Sequence, residues 1–272
     1  MTAVTAPSRR APSAVRARKA GFAADTISVA GRALRSIPRE PEMILPALFI
    51  PVFFFVVNVG ALQDFSEQGI QGFDYKAFQL PVAIIFAVTG ISRASTLVTD
   101  IQDGYFDRLM LTPVRRLSLL LGLMVADLAL VCALCVPVLA LGFATGVRFD
   151  TGLLGVLAFI LLAGLWGLVF TGFPYAIALK TGNPGAVASS FILFFPFAFL
   201  TTSTLPREAL TGWLDTVAGY NPVTYVLAGL RSLETEGWQW DELGKAILAI
   251  AAVGVVSMSL CLAALRGRVR NG

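Results

Sequence analysis

The chain has 272 residues, 56% of them hydrophobic and 14% charged, with a formal net charge of +4. A soluble domain carries about 25% charged residues; here the charges collect in short segments between long apolar runs, which excludes an ordinary soluble fold. Histidine is absent, which removes the commonest general base and metal ligand, and Cys132, Cys135 and Cys261 lie inside apolar runs, where they read as packing residues rather than a redox or zinc pair.

Residues 1–20 form a basic tail with Arg9, Arg10, Arg16, Arg18 and Lys19 and no acid. Beside a membrane, such a tail predicts attraction to anionic cytoplasmic lipid rather than to nucleic acid. It is not read as a secretory signal, because mostly polar sequence separates it from the first apolar run. Residues 21–42 follow. Ala23, Ile27, Ala30, Leu34 and Ile37 recur at helical spacing, and Asp25, Ser28, Arg32, Arg35 and Arg39 recur on the opposite face. The pattern predicts an amphipathic helix lying in the inner interface, ended by Pro38 and Pro41. Periodicity alone leaves it a passive anchor or a lever attached to the first span.

Residues 43–265 read as a six-helix transmembrane domain with spans at Met43–Ala61, Ala77–Val98, Leu117–Phe143, Gly152–Leu179, Ala186–Leu205 and Leu243–Leu265. Arg93 sits near one end of the second span, where a long side chain is expected to snorkel to the headgroups. Five spans contain proline, which kinks helices and suits a protein that changes shape, although static bundles tolerate it too. With the N-terminus inside, the inner segments hold 16 Lys and Arg against five outside, so both termini, including the 266–272 tail, are expected in the cytoplasm. No repeat relates the first three spans to the last three, which counts against a repeat-built secondary transporter.

The inner loop Asp100–Arg116 is too apolar for a simple connector. It sets Tyr105, Phe106, Leu109, Met110 and Leu111 among the charges Asp100, Asp103, Asp107 and Arg108, with Gly104 between. A short mixed helix over about 100–112, with a face to bury in a partner's groove, is predicted. The outer segment Pro206–Leu233 is too apolar for a free loop and too interrupted to span. Trp213, Tyr220 and Tyr225 are interfacial residues, and Gly212, Gly219, Asn221-Pro222 and Gly229 are expected to break it into two short helices of a re-entrant hairpin.

Asp127 falls near the midplane of the third span. Its insertion cost of about 2.5–3.5 kcal/mol is outweighed by the span's ten Leu and four Val, which return about 4–8 kcal/mol. It must therefore face protein, either lining the route of a polar or cationic cargo or, as favoured, protonated or held by a hydrogen bond to a neighbouring helix. Asn58 and Asn221 are weaker candidates for the same route.

The stretch Asp103-Gly104-Tyr105-Phe106-Asp107-Arg108-Leu109, running into Leu111-Thr112-Pro113-Val114-Arg115-Arg116, resembles the inner-loop signature of the type 2 ABC exporter permeases. Leu205-Pro206, Trp213-Leu214, Asn221-Pro222, Tyr225 and Leu230-Arg231 resemble that family's outer hairpin, and the closest likeness is to the daunorubicin-resistance-type drug permeases. Tyr105 departs from the family's usual Thr. The resemblance implies an all-α permease in a bacterial cytoplasmic (inner) membrane whose Asp103–Leu111 loop is a coupling helix seated on a separate ATPase. Two permeases, identical or sister chains, would pair with two ATPases, and those partners would bind ATP and Mg. In this chain no Gly-x-x-x-x-Gly-Lys-Ser/Thr occurs, so no cofactor site and no enzymatic activity are expected of it. The expected function is ATP-driven export of an amphipathic, drug- or antibiotic-like molecule by alternating access. A lipid or polysaccharide precursor is the alternative cargo, and a proton-coupled secondary transporter the alternative class.

Overall fold

The computed structural model describes residues 21–39, 41–69, 73–104 and 116–271 of the chain, and these are all helix, turn or loop. Helix α1 (Phe22–Ser36) ends in a 3-10 turn (Ile37–Arg39), and α2 (Pro41–Gly69) begins two residues later. Then come α3 (Tyr75–Thr89), α4 (Ala94–Gln102), α5 (Arg116–Ala144), α6 (Gly152–Phe170) and α7 (Gly172–Thr181). The short helices α8 (Pro184–Ser189), α9 (Phe194–Phe199), α10 (Trp213–Tyr220) and α11 (Pro222–Arg231) precede a π turn (Ser232–Glu236) and the long α12 (Trp240–Asn271).

Five helical stretches among the described residues are long and apolar enough to cross a membrane: Met43–Gln68, Tyr75–Gln102, Leu117–Ala144, Gly152–Thr181 and Trp240–Arg268. The expected span Ala186–Leu205 is instead interrupted. It runs through α8, a 3-10 turn and α9, and gives way to turns after Phe199. Ser189, Ser190 and Thr201 each donate a hydroxyl to a backbone carbonyl three or four residues back. Such bonds compete with a regular helical ladder, and Pro196 lacks a donor altogether.

The second crossing is also broken. Residues 90–93 separate α3 from α4, and Arg93 at the break is 1% exposed. It does not snorkel to the surface; it is enclosed by protein. Asp25 departs from expectation as well: it is buried on α1 rather than displayed with the arginines. In the 206–233 segment one helix ends at Tyr220 and the next begins at Pro222, but Gly219 and Gly229 lie inside α10 and α11. A Cβ on Gly229 would come within 2.7 Å of the Ala246 Cβ, so glycine is what lets α11 lie close against α12.

The core is one bundle in two sectors. The larger gathers Leu80, Ile84 and Val88 of α3, Val131 and Leu134 of α5, Phe159 and Trp166 of α6, and Val226, Leu227 and Leu230 of α11. Trp166 donates its Nε1–H to Thr89 Oγ1 at 2.9 Å, satisfying its one polar group. The second sector joins Ala33 of α1, Leu97 and Val98 of α4, Leu119 and Leu123 of α5, Tyr175 and Leu179 of α7, and Cys261 of α12. Helix α2 packs mainly on α3. Much of it, including Phe49, Phe53 and Val56, is left exposed to meet lipid or protein. None of the three cysteines is in a disulfide, and Cys132 Sγ packs where a Cβ on Gly164 would fall, 2.8 Å away.

Candidate functional site: a buried polar node beneath the inner loop

Breaking a crossing helix releases backbone groups that lipid cannot satisfy. At the break between α3 and α4, Asp127 of α5 supplies the acceptor. Its Oδ1 takes the Arg93 backbone N–H at 3.1 Å, and its Oδ2 takes the Tyr175 hydroxyl of α7 at 2.8 Å. Both Arg93 and Asp127 are 1% exposed. Arg93 then reaches α1, where its Nη2 donates to Ser36 Oγ at 2.6 Å. Thus Ser36, Arg93, Asp127 and Tyr175 join α1, the α3–α4 break, α5 and α7 through a single buried network. Asp127 thus accepts a hydrogen bond from a neighbouring crossing, through the Tyr175 hydroxyl.

Helix α1 is docked, not loosely laid on the surface. Its Ala30 and Ala33 are buried, and its main partner is α5. Gly122 of α5 permits this: a Cβ there would lie 2.6 Å from the Val29 Cβ and 3.0 Å from the Thr26 carbonyl oxygen. Ile27 and Leu34 remain exposed, so the expected apolar stripe is divided between protein and a free surface. Arg32 pairs with Asp100 of α4 at 3.4 Å. Arg35 is exposed, and Arg39 closes the 3-10 turn.

Helix α4 ends in the inner loop. Asp100 lies on its last turn, Gln102 ends it, Asp103 donates its N–H to the Thr99 carbonyl, and Gly104 takes the left-handed φ of +67° that glycine adopts without strain. Gln102 Nε2 also donates to the Gly182 carbonyl at 3.0 Å, holding α4 against the turn between α7 and α8. Tyr105, Phe106, Asp107, Arg108 and Leu109 lie outside the described residues. The loop therefore leaves from a platform of α1, α4, α7 and α8, all held to one another.

The other two pathway candidates lie apart from this node. Asn58 lines a niche of about 30 Å3, room for about one water, with Gln79, Ser203, Thr204 and the rings of Phe54, Phe86 and Phe199. In it, Gln79 Oε1 and Ser203 Oγ are buried with no hydrogen-bond partner among the described residues. Asn221 is spent on structure. Its Oδ1 caps α11 at the Val223 N–H, and its Nδ2 donates to the Phe197 and Leu200 carbonyls at 2.8 Å each, tying the start of α11 to the end of α9. Sequence reasoning missed Tyr175, Ser36 and Gln102. The available signal was cost: a lone Arg in one crossing and a lone Asp in the next are each expensive unless something in the bundle receives them.

A sequence model of the ABC-2 type transporter family matches residues 25–235. The chain is 27% identical over 226 residues to the daunorubicin resistance ABC transporter permease protein DrrB1 of Streptomyces coeruleorubidus, covering 79% of this chain and 77% of that one. It is 25% identical over 217 residues to the probable doxorubicin resistance ABC transporter permease protein DrrC of Mycobacterium tuberculosis, covering 79% of each. A putative transport permease of the red alga Pyropia yezoensis, ycf38, is 23% identical over 255 residues, covering 84% of each.

Proposed function

The chain belongs to the ABC-2 type transporter family, and from that premise we propose that it is the membrane half of an ATP-driven exporter of amphipathic small molecules. The family's members are transmembrane permease subunits rather than enzymes, and they imply a separate ABC ATPase. In this reading two copies of the permease, identical or sister chains, meet two ATPases, which hold the ATP and Mg. The chain lies in a bacterial cytoplasmic membrane with both termini inside. Residues 184–199, with the turns that follow, make a sixth, broken crossing, and 206–236 is a hairpin set into the outer leaflet. A drug-like cargo is favoured by the names of the drug-resistance relatives.

The observation that carries the reading is the buried node. A loop that merely connects two spans has no use for a launching helix tied to three neighbours. Here α4 is tied to α1 by Arg32–Asp100, to the α7–α8 turn by Gln102, and at its N-terminal end to α5 and α7 through Asp127. Displacement of the loop by a partner therefore reaches several spans together. Asp103, Gly104, Asp107 and Leu109 are the residues that would seat in the ATPase, with the apolar face giving affinity and the charges specificity. Co-expression with an ABC ATPase from the same genome, followed by native mass measurement, tests the partnership. A complex of two permeases and two ATPases is expected, and nucleotide binding by this chain alone would contradict the reading.

A further inference from the structure

Arg231 is the last residue of α11, and its guanidinium forms no ion pair among the described residues. Its Nε–H donates to the Phe78 carbonyl at 3.2 Å, Nη1 to Thr202 Oγ1 at 3.0 Å and Nη2 to the Thr202 carbonyl at 2.8 Å. Its Cζ lies 3.5 Å from the centre of the Phe78 ring. One side chain thus clamps α11 to the start of α3 and to the turns that follow the broken crossing. Pro81 lies in the next turn of α3 and removes a rung from its ladder, so this end of the helix draws support from outside itself.

Three residues on, in the π turn, Glu234 is 0% exposed, and neither carboxyl oxygen has a hydrogen-bond partner among the described residues. Residues three apart on a helical turn are neighbours, and Arg231 is near enough to act on the Glu234 charge. A buried carboxyl left unpaired beside a guanidinium is stable only while it is neutral. We propose that the two form a proton-operated latch. With Glu234 protonated, Arg231 clamps α11 to α3 and to Thr202; with Glu234 ionised, Arg231 turns to the carboxylate and the clamp opens. The latch is built from contacts within the chain and stands whether or not the chain is an exporter.

The opening step is loss of the Glu234 proton to water. The carboxylate it leaves is costly in a buried place unless it is paired, and the surroundings offer Arg231 for that. Helix α6, which packs on the π turn, carries no charged residue. Lys76 of α3 donates to the Thr145 carbonyl at 3.5 Å, and Arg148 of the α5–α6 loop is exposed. Asp74 at the cap of α3, Glu236 on the same turn and Asp150, whose backbone N–H binds the Glu234 carbonyl at 2.9 Å, are exposed acids, and Tyr75 is a buried hydroxyl. Burial pushes the Glu234 carboxyl up, with Arg231 opposing and Asp74 reinforcing. Phe78, Thr202 and Arg231 also line a chamber of about 920 Å3, so the latch sets how firmly one of its walls is held.

The test takes the purified chain in phosphatidylcholine nanodiscs from about pH 5 to about pH 9. Infrared difference spectroscopy reads the proton, and backbone hydrogen exchange, corrected for its intrinsic pH dependence, reads the clamp. A protonated-carboxyl stretching band, present in wild type and missing from Glu234→Gln, should fade as pH rises. Over the same interval, exchange protection at the start of α3 and in the 200–205 turns should fall about tenfold or more, the equivalent of at least one of the three bonds Arg231 makes. Glu234→Gln should keep that protection at every pH, and Arg231→Gln should lack it at every pH. A wild-type spectrum with no band that Glu234→Gln removes, or a band that persists unchanged throughout, would overturn the latch. So would wild-type protection that stays constant while the band fades, or a Glu234→Gln chain that loses protection as wild type does.

Discussion

Gly122→Ala adds one methyl group at the seam between α1 and α5, and the structure says where it goes. The new Cβ would sit 2.6 Å from the Val29 Cβ and 3.0 Å from the Thr26 carbonyl oxygen. Neither is the far end of a flexible side chain, so α1 must move as a unit. Overpacking of this kind costs about 1–3 kcal/mol, which raises the population of undocked α1 by roughly fivefold to 150-fold. Gly31→Ala is the matched control, because a Cβ there meets nothing within 4 Å. Gly31→Ala gains about 0.5–1 kcal/mol of helix propensity on α1 itself, whereas the gain of Gly122→Ala falls on α5, so the two variants should shift the opening of α1 in opposite directions. Limited trypsin digestion reads it at Arg32 and Arg35, which are cut only when α1 opens, at a rate that follows the open population. Gly122→Ala should be cleaved faster than wild type and Gly31→Ala more slowly. Equal cleavage of the two variants would refute the docking of α1 on α5.

Asp127→Leu should cost about 1–3 kcal/mol for each donor it orphans, the Arg93 N–H and the Tyr175 hydroxyl, while Asp127→Asn keeps an acceptor and should cost less; thermal unfolding in nanodiscs ranks them, and a leucine variant as stable as wild type would deny the node its structural role. Burial pushes the Glu234 carboxyl well above its usual range, with Arg231 opposing. The folded chain then holds a proton that the unfolded chain releases above about pH 4.3, so this group's contribution to stability is lost as pH rises above that point. Glu234→Gln should therefore gain on wild type between pH 5 and pH 8 in unfolding temperature, and a constant difference across that range would contradict the assignment. Asp103→Cys, in a background lacking the three native cysteines, should resist a membrane-impermeant thiol reagent applied to whole cells; labelling from outside would invert the proposed topology.

What the sequence revealed follows from how local each signal is. Helices α5 and α12 were legible because each carries a long apolar run, interrupted in α5 by Asp127 alone, and lipid leaves such a run little choice but helix. The break at residues 90–93 was not legible, because its remedy, the Asp127 carboxylate, comes from the next crossing. The 186–205 stretch has the composition of a span, but its hydroxyls and Pro196 divert the backbone, a competition that hydropathy does not register. On α1, spacing marked an amphipathic helix, yet which face meets protein was set by Gly122 on a distant helix. Asn58 and Asn221 looked alike as polar residues in apolar surroundings. Only the fold separates a cap whose amide bonds on both sides from a side chain beside Gln79 Oε1 and Ser203 Oγ, which have no hydrogen-bond partner among the described residues.

In the exporter reading, the inner loop receives a partner's motion and passes it to the spans. Asp107→Lys and Leu109→Asp lie in that loop, outside the apolar runs, so insertion should survive them. The decisive measurement is ATPase co-purification together with cargo-stimulated ATP hydrolysis for both variants against wild type, at matched amounts of permease in the membrane. Each variant should lose the ATPase or its response to cargo. Wild-type pull-down and wild-type stimulation in both would show that the loop is an ordinary connector.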